Sequence, residues 1–401
     1  MDGLKVNITN NAMLIQTAFK NIIRGGKRTW LNVVVLSFVL VIMVAYNGLL
    51  DGWMEESRRD TIDWESGWSQ LWHPKYDKYD IFTLQDAHGI IPKDIKRLID
   101  NGVATPILVI QASIYPHGRM QNIVLKGINT EQNILKIPSE KIKTEDEDIP
   151  AIIGTRMAKS TDLKQGDRIM IRWRDKNGVF DSRQLLITHI FETKIGSVDS
   201  DQIWININDL YQMTGMGNEA TYIVLNKEAK IKSDLSGWKY KSDYFLLSDV
   251  RAMEKAERVE SIIIFIILLS LALLAVYDTQ TLSIFRRQKE IGTYVALGMT
   301  PKKVTSLFTL EGTTYSVLAV LFAAIWGTPL LYLFAKTGLP MPEAYTNIGL
   351  PLGEAIYPVY KITSLIKTII LLIILSAIIS YIPAQKIAKQ NIVYALKGKI
   401  N

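Results

Sequence analysis

The sequence predicts a membrane α-helical fold: four transmembrane helices, with a large α+β extracytoplasmic domain between helices 1 and 2. Three observations predict it. Apolar residues concentrate in four runs, Trp30–Leu50, Ile262–Tyr277, Val304–Phe334 and Thr363–Ile382, each close to the ~20 residues that cross ~30 Å of hydrocarbon. Charge is uneven. The chain carries a net +7, yet residues 51–258 hold 29 basic and 32 acidic side chains, so the basic excess lies in the other segments. Within 51–258, short β-like runs alternate with turn signals and helix-prone stretches.

The positive-inside rule places both termini and the 285–303 loop in the cytoplasm, with 53–258 and a short 336–362 loop outside. The basic excess is thus a topology signal, and nucleic acid is not an expected partner.

In chain order, residues 1–28 read as a cytoplasmic amphipathic helix. Leu14, Ile15, Ala18, Phe19, Ile22 and Ile23 have helical spacing, and Gly25 and Gly26 break the pattern. Residues 29–52 form the first span, read as an uncleaved anchor, with a signal peptide as the alternative. Past it come Trp64, Trp68 and Trp72. Three readings are open for them: an interfacial belt, the core of the external domain, or a surface for an apolar substrate.

The external domain (53–258) reads as two lobes. A helix at Lys93–Asn101 is closed by Gly102. Strands follow at Val103–Tyr115 and Ile123–Ile128. The acidic run Thr144–Asp148 reads as a loop between subdomains. Strands at Arg168–Trp173 and Leu185–Phe191 flank a hairpin turn at Asp175–Gly178. Ile203–Ile207 is a strand and Asp209–Met213 a short helix. The β-like runs Tyr222–Leu225 and Tyr244–Leu247 close the domain. Asp249–Val259 extends the second span (259–282) outward.

Residues 283–303 separate the second and third spans and carry Arg286, Arg287, Lys289, Lys302 and Lys303 against Glu290. Gly298 is placed to end a helix in the left-handed conformation. Thr300 is placed to cap the next helix, with Pro301 at its first position. The third span (304–335) contains Glu311 and Gly312. Glu311 lies on the order of 10 Å past Val304 along the helix, where an acid must face protein or snorkel. It reads as a structural anchor or a coupling group. The fourth span (363–383) leads to a basic tail, 384–401.

Chemistry is absent where an enzyme would show it. There is no cysteine. The sequence has no P-loop, no H-E-x-x-H and no metal spacing among His73, His88, His117 and His189. No cofactor is expected on this chain. Its spans hold almost no ionisable residue at mid-depth, against an ion-coupled pump. Energy for mechanical work would come from a partner, and the 285–303 loop is the natural place for it to dock.

Three stretches carry a resemblance to a known family. Arg286 to Thr300 followed by Leu310, Glu311 and Gly312, Tyr381 to Lys397, and Ala18 to Asp51 resemble the FtsX/MacB/LolC–LolE type of ABC transporter permease (type VII, mechanotransmission). Residues 152–171 and 191–201 resemble the lipoprotein-releasing LolC/LolE group most. Asn391-Ile392 stands where the family has Asp-Pro. The Asp175–Gly178 turn stands where the LolC-like subunit carries a proline-containing hook for its carrier.

The resemblance implies a permease in the inner membrane with a periplasmic domain. It works with a cytoplasmic ABC ATPase that binds the ATP, and with a second permease subunit, itself or a paralogue. Membrane lipids surround it, and a lipoprotein cargo or periplasmic lipoprotein carrier is its external partner. The ATPase contact would fall on Arg286, Arg287, Glu290, Ile291, Gly292, Ala296, Leu297 and Gly298. A regulator of a cell-wall hydrolase like FtsX, MacB-like efflux of an amphipathic substrate, and a scaffold without an ATPase are the alternatives.

Overall fold

A computed structural model describes residues 27–296, 298–340 and 355–388. The expected amphipathic helix up to residue 26, Leu297, and the tail with Asn391 and Ile392 lie outside the described residues. The chain divides into two compact units, each taken by itself here.

The membrane unit is built on α1 (Lys27–Thr61), α7 (Ser248–Arg286), α9 (Pro301–Thr337) and α10 (Ile362–Ala388), with the short α8 (Gln288–Ala296) between α7 and α9. The four longer helices are long and apolar enough to cross a membrane. α1 and α7 outrun the spans expected from hydropathy: the 35 residues of α1 reach about 52 Å at 1.5 Å per residue. Leu36, Leu40 and Met43 of α1, Leu269, Ala272 and Val276 of α7, Tyr315 and Ala319 of α9 and Leu372 of α10 pack as one buried cluster. Ile262, Ile266, Leu321, Ile325, Ile370 and Ile374 are exposed, as lipid-facing positions must be.

Small residues let the helices approach. A Cβ on Gly312 of α9 would lie 2.0 Å from Ser380 Oγ of α10 and 2.9 Å from Gln280 Nε2 of α7. This close approach is the packing mode of membrane helices. In the second half of α1, the Asp51 carboxylate is buried and takes Arg258 at 2.7 Å and Lys361 at 3.4 Å. This ties α1 to α7 and to the chain entering α10. An acid at that depth is tolerated because it is paired twice.

The extramembrane unit, Met54–Glu254, is an α+β domain containing a barrel. Its strands in chain order are β1 (Ser69–Trp72), β2 (Gly89–Ile90), β3 (Ala104–Ile114), β4 (Gln121–Ile128), β5 (Ile149–Gly154) and β6 (Arg168–Arg174). β7 (Phe180–Phe191), β8 (Gln202–Asn206), β9 (Glu219–Ala220), β10 (Tyr222–Leu225) and β11 (Lys239–Lys241) follow. The sheet order is β11-β1-β10-β3-β4-β8-β5-β7-β6, and β6 pairs back onto β3. Ala112 to Ile114 opposite Trp173 to Ile171 close that seam, so six strands form a ring.

Alternate residues fill the ring, as the two-residue period of a strand requires: Leu108, Ile110, Ala112 and Ile114 of β3, Ile169, Ile171 and Trp173 of β6, Leu185 and Ile187 of β7. The helices are α2 (Lys93–Asp100), α3 (Thr155–Thr161), α4 (Gly196–Asp199), α5 (Ile207–Thr214) and α6 (Asp243–Leu246). Met157 of α3 and Leu210 and Met213 of α5 complete the ring's core.

Three expectations change. The domain is not two lobes split at Thr144–Asp148. The strands on either side, β4 and β5, both belong to the ring, and Arg168 holds the acidic run through Asp146 and Asp148 at 2.8 and 2.7 Å. Tyr244–Leu247 is not a strand; Asp243–Leu246 is one helical turn with an acid at its start. Leu246 and Leu247 are buried while Tyr244 and Phe245 are exposed, a pairing of neighbours that strand alternation cannot give. The hairpin turn is where expected. The Asp175 carboxylate accepts from the Asn177 and Val179 amides, and Gly178 takes φ +85°. β7 begins earlier than its apolar pattern suggested, because Phe180–Gln184 expose every side chain.

Candidate functional site

The expected coupling residues gather on α8 and its two ends. α7 stops at Arg286. The Arg287 amide is shared between the Ser283 and Ile284 carbonyls at 3.2 Å each, the bifurcated pattern common at helix ends. α8 follows as an amphipathic helix. Gln288, Ile291, Gly292 and Val295 face inward, at spacings of three, four and seven. Ile291 is buried with Ile284, Val304, Phe308 and Ala384, and Val295 and Met299 pack against them. Lys289, Glu290, Thr293 and Ala296 are exposed, as is Arg286 just before.

The turn out of α8 is local chemistry. The Gly298 amide donates to the Val295 carbonyl at 3.0 Å, and Gly298 has φ +93°, where an L side chain is strained. Thr300 sits in the extended conformation at the capping position, and its carbonyl accepts from Lys303 and Val304. Its hydroxyl, expected to cap, makes no capping bond. Pro301 opens α9 as expected.

Arg287 braces the site. Its Nε donates to Glu290 at 2.8 Å and its Nη1 to Glu311 at 3.0 Å, and the guanidinium lies 5.1 Å from the Phe308 ring centre. The planar fork of arginine allows two directed bonds and a stacked face together. Glu311 is 2% exposed, so its charge is held by protein and not by snorkelling. One helical position beyond, Gly312 meets α10. Gln280, fully buried on α7 with both amide atoms unpaired, stands beside it.

The predicted set therefore separates by face. Arg286, Glu290, Ala296 and Gly298 are exposed. Arg287, Ile291 and Gly292 are turned to the bundle, where they seat α8. Leu297 lies outside the described residues. Reading Arg286 and Arg287 as one basic pair missed this division. Asp51 and Gln280 had no distinguishing signal in the sequence, since their partners lie on other helices.

The three tryptophans are not brought into one surface. Trp72 is 4% exposed, donates from Nε1 to Gln70 at 2.6 Å and packs edge-on against Tyr76 and Phe245. Trp64 stacks on Phe191, and only Trp68 is exposed, with the Lys227 ammonium 5.0 Å from its ring centre. The core reading holds for Trp72. Burial leaves it unable to contribute to an apolar-substrate surface, the third reading open for it.

Residues 262–392 match the family described as FtsX-like permease C-terminal. This stretch is similar to an FtsX-like permease C-terminal domain. It takes in most of α7, all of α8, the Gly298 turn, α9 and α10. The braced α8 thus falls wholly inside the match, while α1 and the barrel domain fall outside it. No curated protein matches the chain.

Proposed function

We propose that the chain is the membrane subunit of an ABC-type transporter, driven by a separate cytoplasmic ATPase that docks on the outward face of α8. The observation that carries this is the division of α8 into an exposed face, Lys289, Glu290, Thr293 and Ala296, and a face locked to the bundle. A helix that only connected two spans would need no buried ion pair beneath it. The sequence has no P-loop of its own, so the nucleotide belongs to the partner, and the basic flanks put α8 on the cytoplasmic side.

A push on α8 acts on Arg287, hence on Glu311 and α9, and passes along α7 toward its Ser248 end. The likeness of residues 152–171 to the LolC/LolE group supports an amphipathic or lipid-modified envelope molecule as cargo, handled on the periplasmic side of the inner membrane. A second copy or a relative completes the pair.

The absence of cysteine makes the test direct, because one introduced thiol is unique. Glu290→Cys and Thr293→Cys, treated in cells with a bifunctional thiol–amine reagent under ATP-trapping conditions, are expected to give an adduct with a protein carrying P-loop motifs. Ile325→Cys, on the exposed apolar face of α9, is expected to give none. Adducts from Glu290→Cys and Thr293→Cys that contain no ATPase would overturn the proposal.

A further inference from the structure

A groove of about 470 Å³ runs between α9 and α10, from Pro301 and Lys302 to Thr313, with Tyr381 and Gln385 as its other wall. Its size lies within the ~300–1,000 Å³ of ligand pockets. Lys302 and Thr313 are eleven residues apart, about 16 Å at the helical rise. The groove therefore starts at the end of a membrane helix and enters the apolar span. We infer that it binds an anionic glycerophospholipid, with the phosphate at Lys302 and the ester region at Tyr381.

The lining offers one cation and several polar groups to such a lipid. At the mouth Lys302 is exposed, Lys303 and Lys386, each next in sequence to a lining residue, are exposed, and no acidic side chain lines the groove among the described residues. Halfway along, Gln385 Nε2 donates to Tyr381 Oη at 3.0 Å. That bond fixes the phenol through its lone pair and leaves the phenol proton to donate to an ester carbonyl.

Along the whole α9 wall, the hydroxyl protons of Thr305, Thr309 and Thr313 go to carbonyls four residues earlier, at 3.0, 2.9 and 2.8 Å. Those threonines show methyl groups and spent hydroxyls, a surface an acyl chain can lie against without stranding a donor. Elsewhere on α9 the exposed mid-span positions Leu321 and Ile325 are apolar, and Thr328, Tyr332 and Lys336 are exposed toward its other end. The mouth of the groove follows the Gly298 turn directly, so a lipid held there would steady the start of α9.

The test uses the full chain, purified in mild detergent and examined by native mass spectrometry with phosphatidylglycerol, phosphatidylcholine or inorganic phosphate added. One phosphatidylglycerol per chain is expected, preferred over phosphatidylcholine by about fivefold or more, the contribution of one lysine near an anionic headgroup. Lys302→Glu and Lys302→Gln are expected to abolish the preference. Tyr381→Phe should weaken both lipids equally. Lys336→Glu, exposed at the other end of α9, should change nothing. Equal retention of the two lipids by the wild type would overturn the inference. So would undiminished preference in both Lys302 variants at unchanged melting temperature, or displacement of the lipid by millimolar inorganic phosphate.

Discussion

Arg287, at the break between α7 and α8, and Glu311 of α9, 24 residues apart, are joined by a 3.0 Å bond whose acidic end is closed to solvent. That bond ties the entry of α8 to the interior of α9. With Ile291 buried beside it, that bond seats α8 against the bundle.

Breaking the pair should cost stability asymmetrically. Arg287→Ala leaves a buried carboxylate without its arginine, with an expected loss of about 3 kcal/mol. Glu311→Gln should cost less, since Arg287 keeps Glu290 at 2.8 Å. The double variant Arg287→Met/Glu311→Leu should recover most of the loss, because paired apolar groups can replace a buried ion pair. Melting of the detergent-purified chain checks all three; additive losses in the double variant would mean the pair is not coupled.

Gly312→Ala should destabilise by roughly 1–3 kcal/mol, as overpacking does. The added Cβ meets Ser380 Oγ at 2.0 Å and Ser380 Cβ at 2.4 Å. Because Ser380 Cβ is itself in the way, Ser380→Ala should not rescue the variant. Ser380→Gly should do so at least in part. The four melting temperatures decide it.

Asp51→Ala should be worse than Arg258→Ala. The first deprives two cations of one buried carboxylate, while the second leaves Lys361 at 3.4 Å still paired. Proteolysis of α1 around Asp51 in membranes should rise in the same order.

In the extramembrane domain Lys126 is 7% exposed, with its ammonium 4.9 Å from the Trp204 ring centre. Burial pushes its pKa down to about 8. The folded value lies below the unfolded one, so the charged form is penalised in the fold. The penalty is complete below about pH 8 and fades as pH rises toward the unfolded value. Lys126→Met should therefore raise the melting temperature at pH 7 by removing a penalty of a few kcal/mol, and should flatten the gain seen in the wild type between pH 8 and 10. Hydrogen exchange at β4 across that range measures it. A lowered melting temperature at pH 7 would show that the cation–π contact outweighs desolvation.

Much of this was legible along the chain, for physical reasons. Four apolar runs, Gly298 at the end of one helix and Pro301 at the start of the next are local signals, set by hydrocarbon thickness and backbone sterics. Five of the six barrel strands were also local, since inward residues alternate; β5, with Ile149 to Gly154 nearly all buried, had no such alternation and was not foreseen. Closure was not: the pairing of Ala112 with Trp173 is a contact between distant segments, and without it the acidic run at Thr144–Asp148 looked like a domain boundary. The same holds at the candidate site. Arg286 and Arg287 are adjacent and alike in sequence, and only the packing of α8 on Phe308 and Glu311 shows that one faces solvent and the other the bundle.

The most direct measurement is ATP hydrolysis by the partner ATPase with and without this chain, comparing wild type with Gly298→Pro and Glu290→Lys at equal membrane insertion. Proline cannot adopt the φ of +93° at Gly298, and Glu290→Lys reverses charge on the exposed face. The account predicts that stimulation is lost in both while the isolated ATPase keeps its basal rate. Wild-type stimulation in both variants would contradict it.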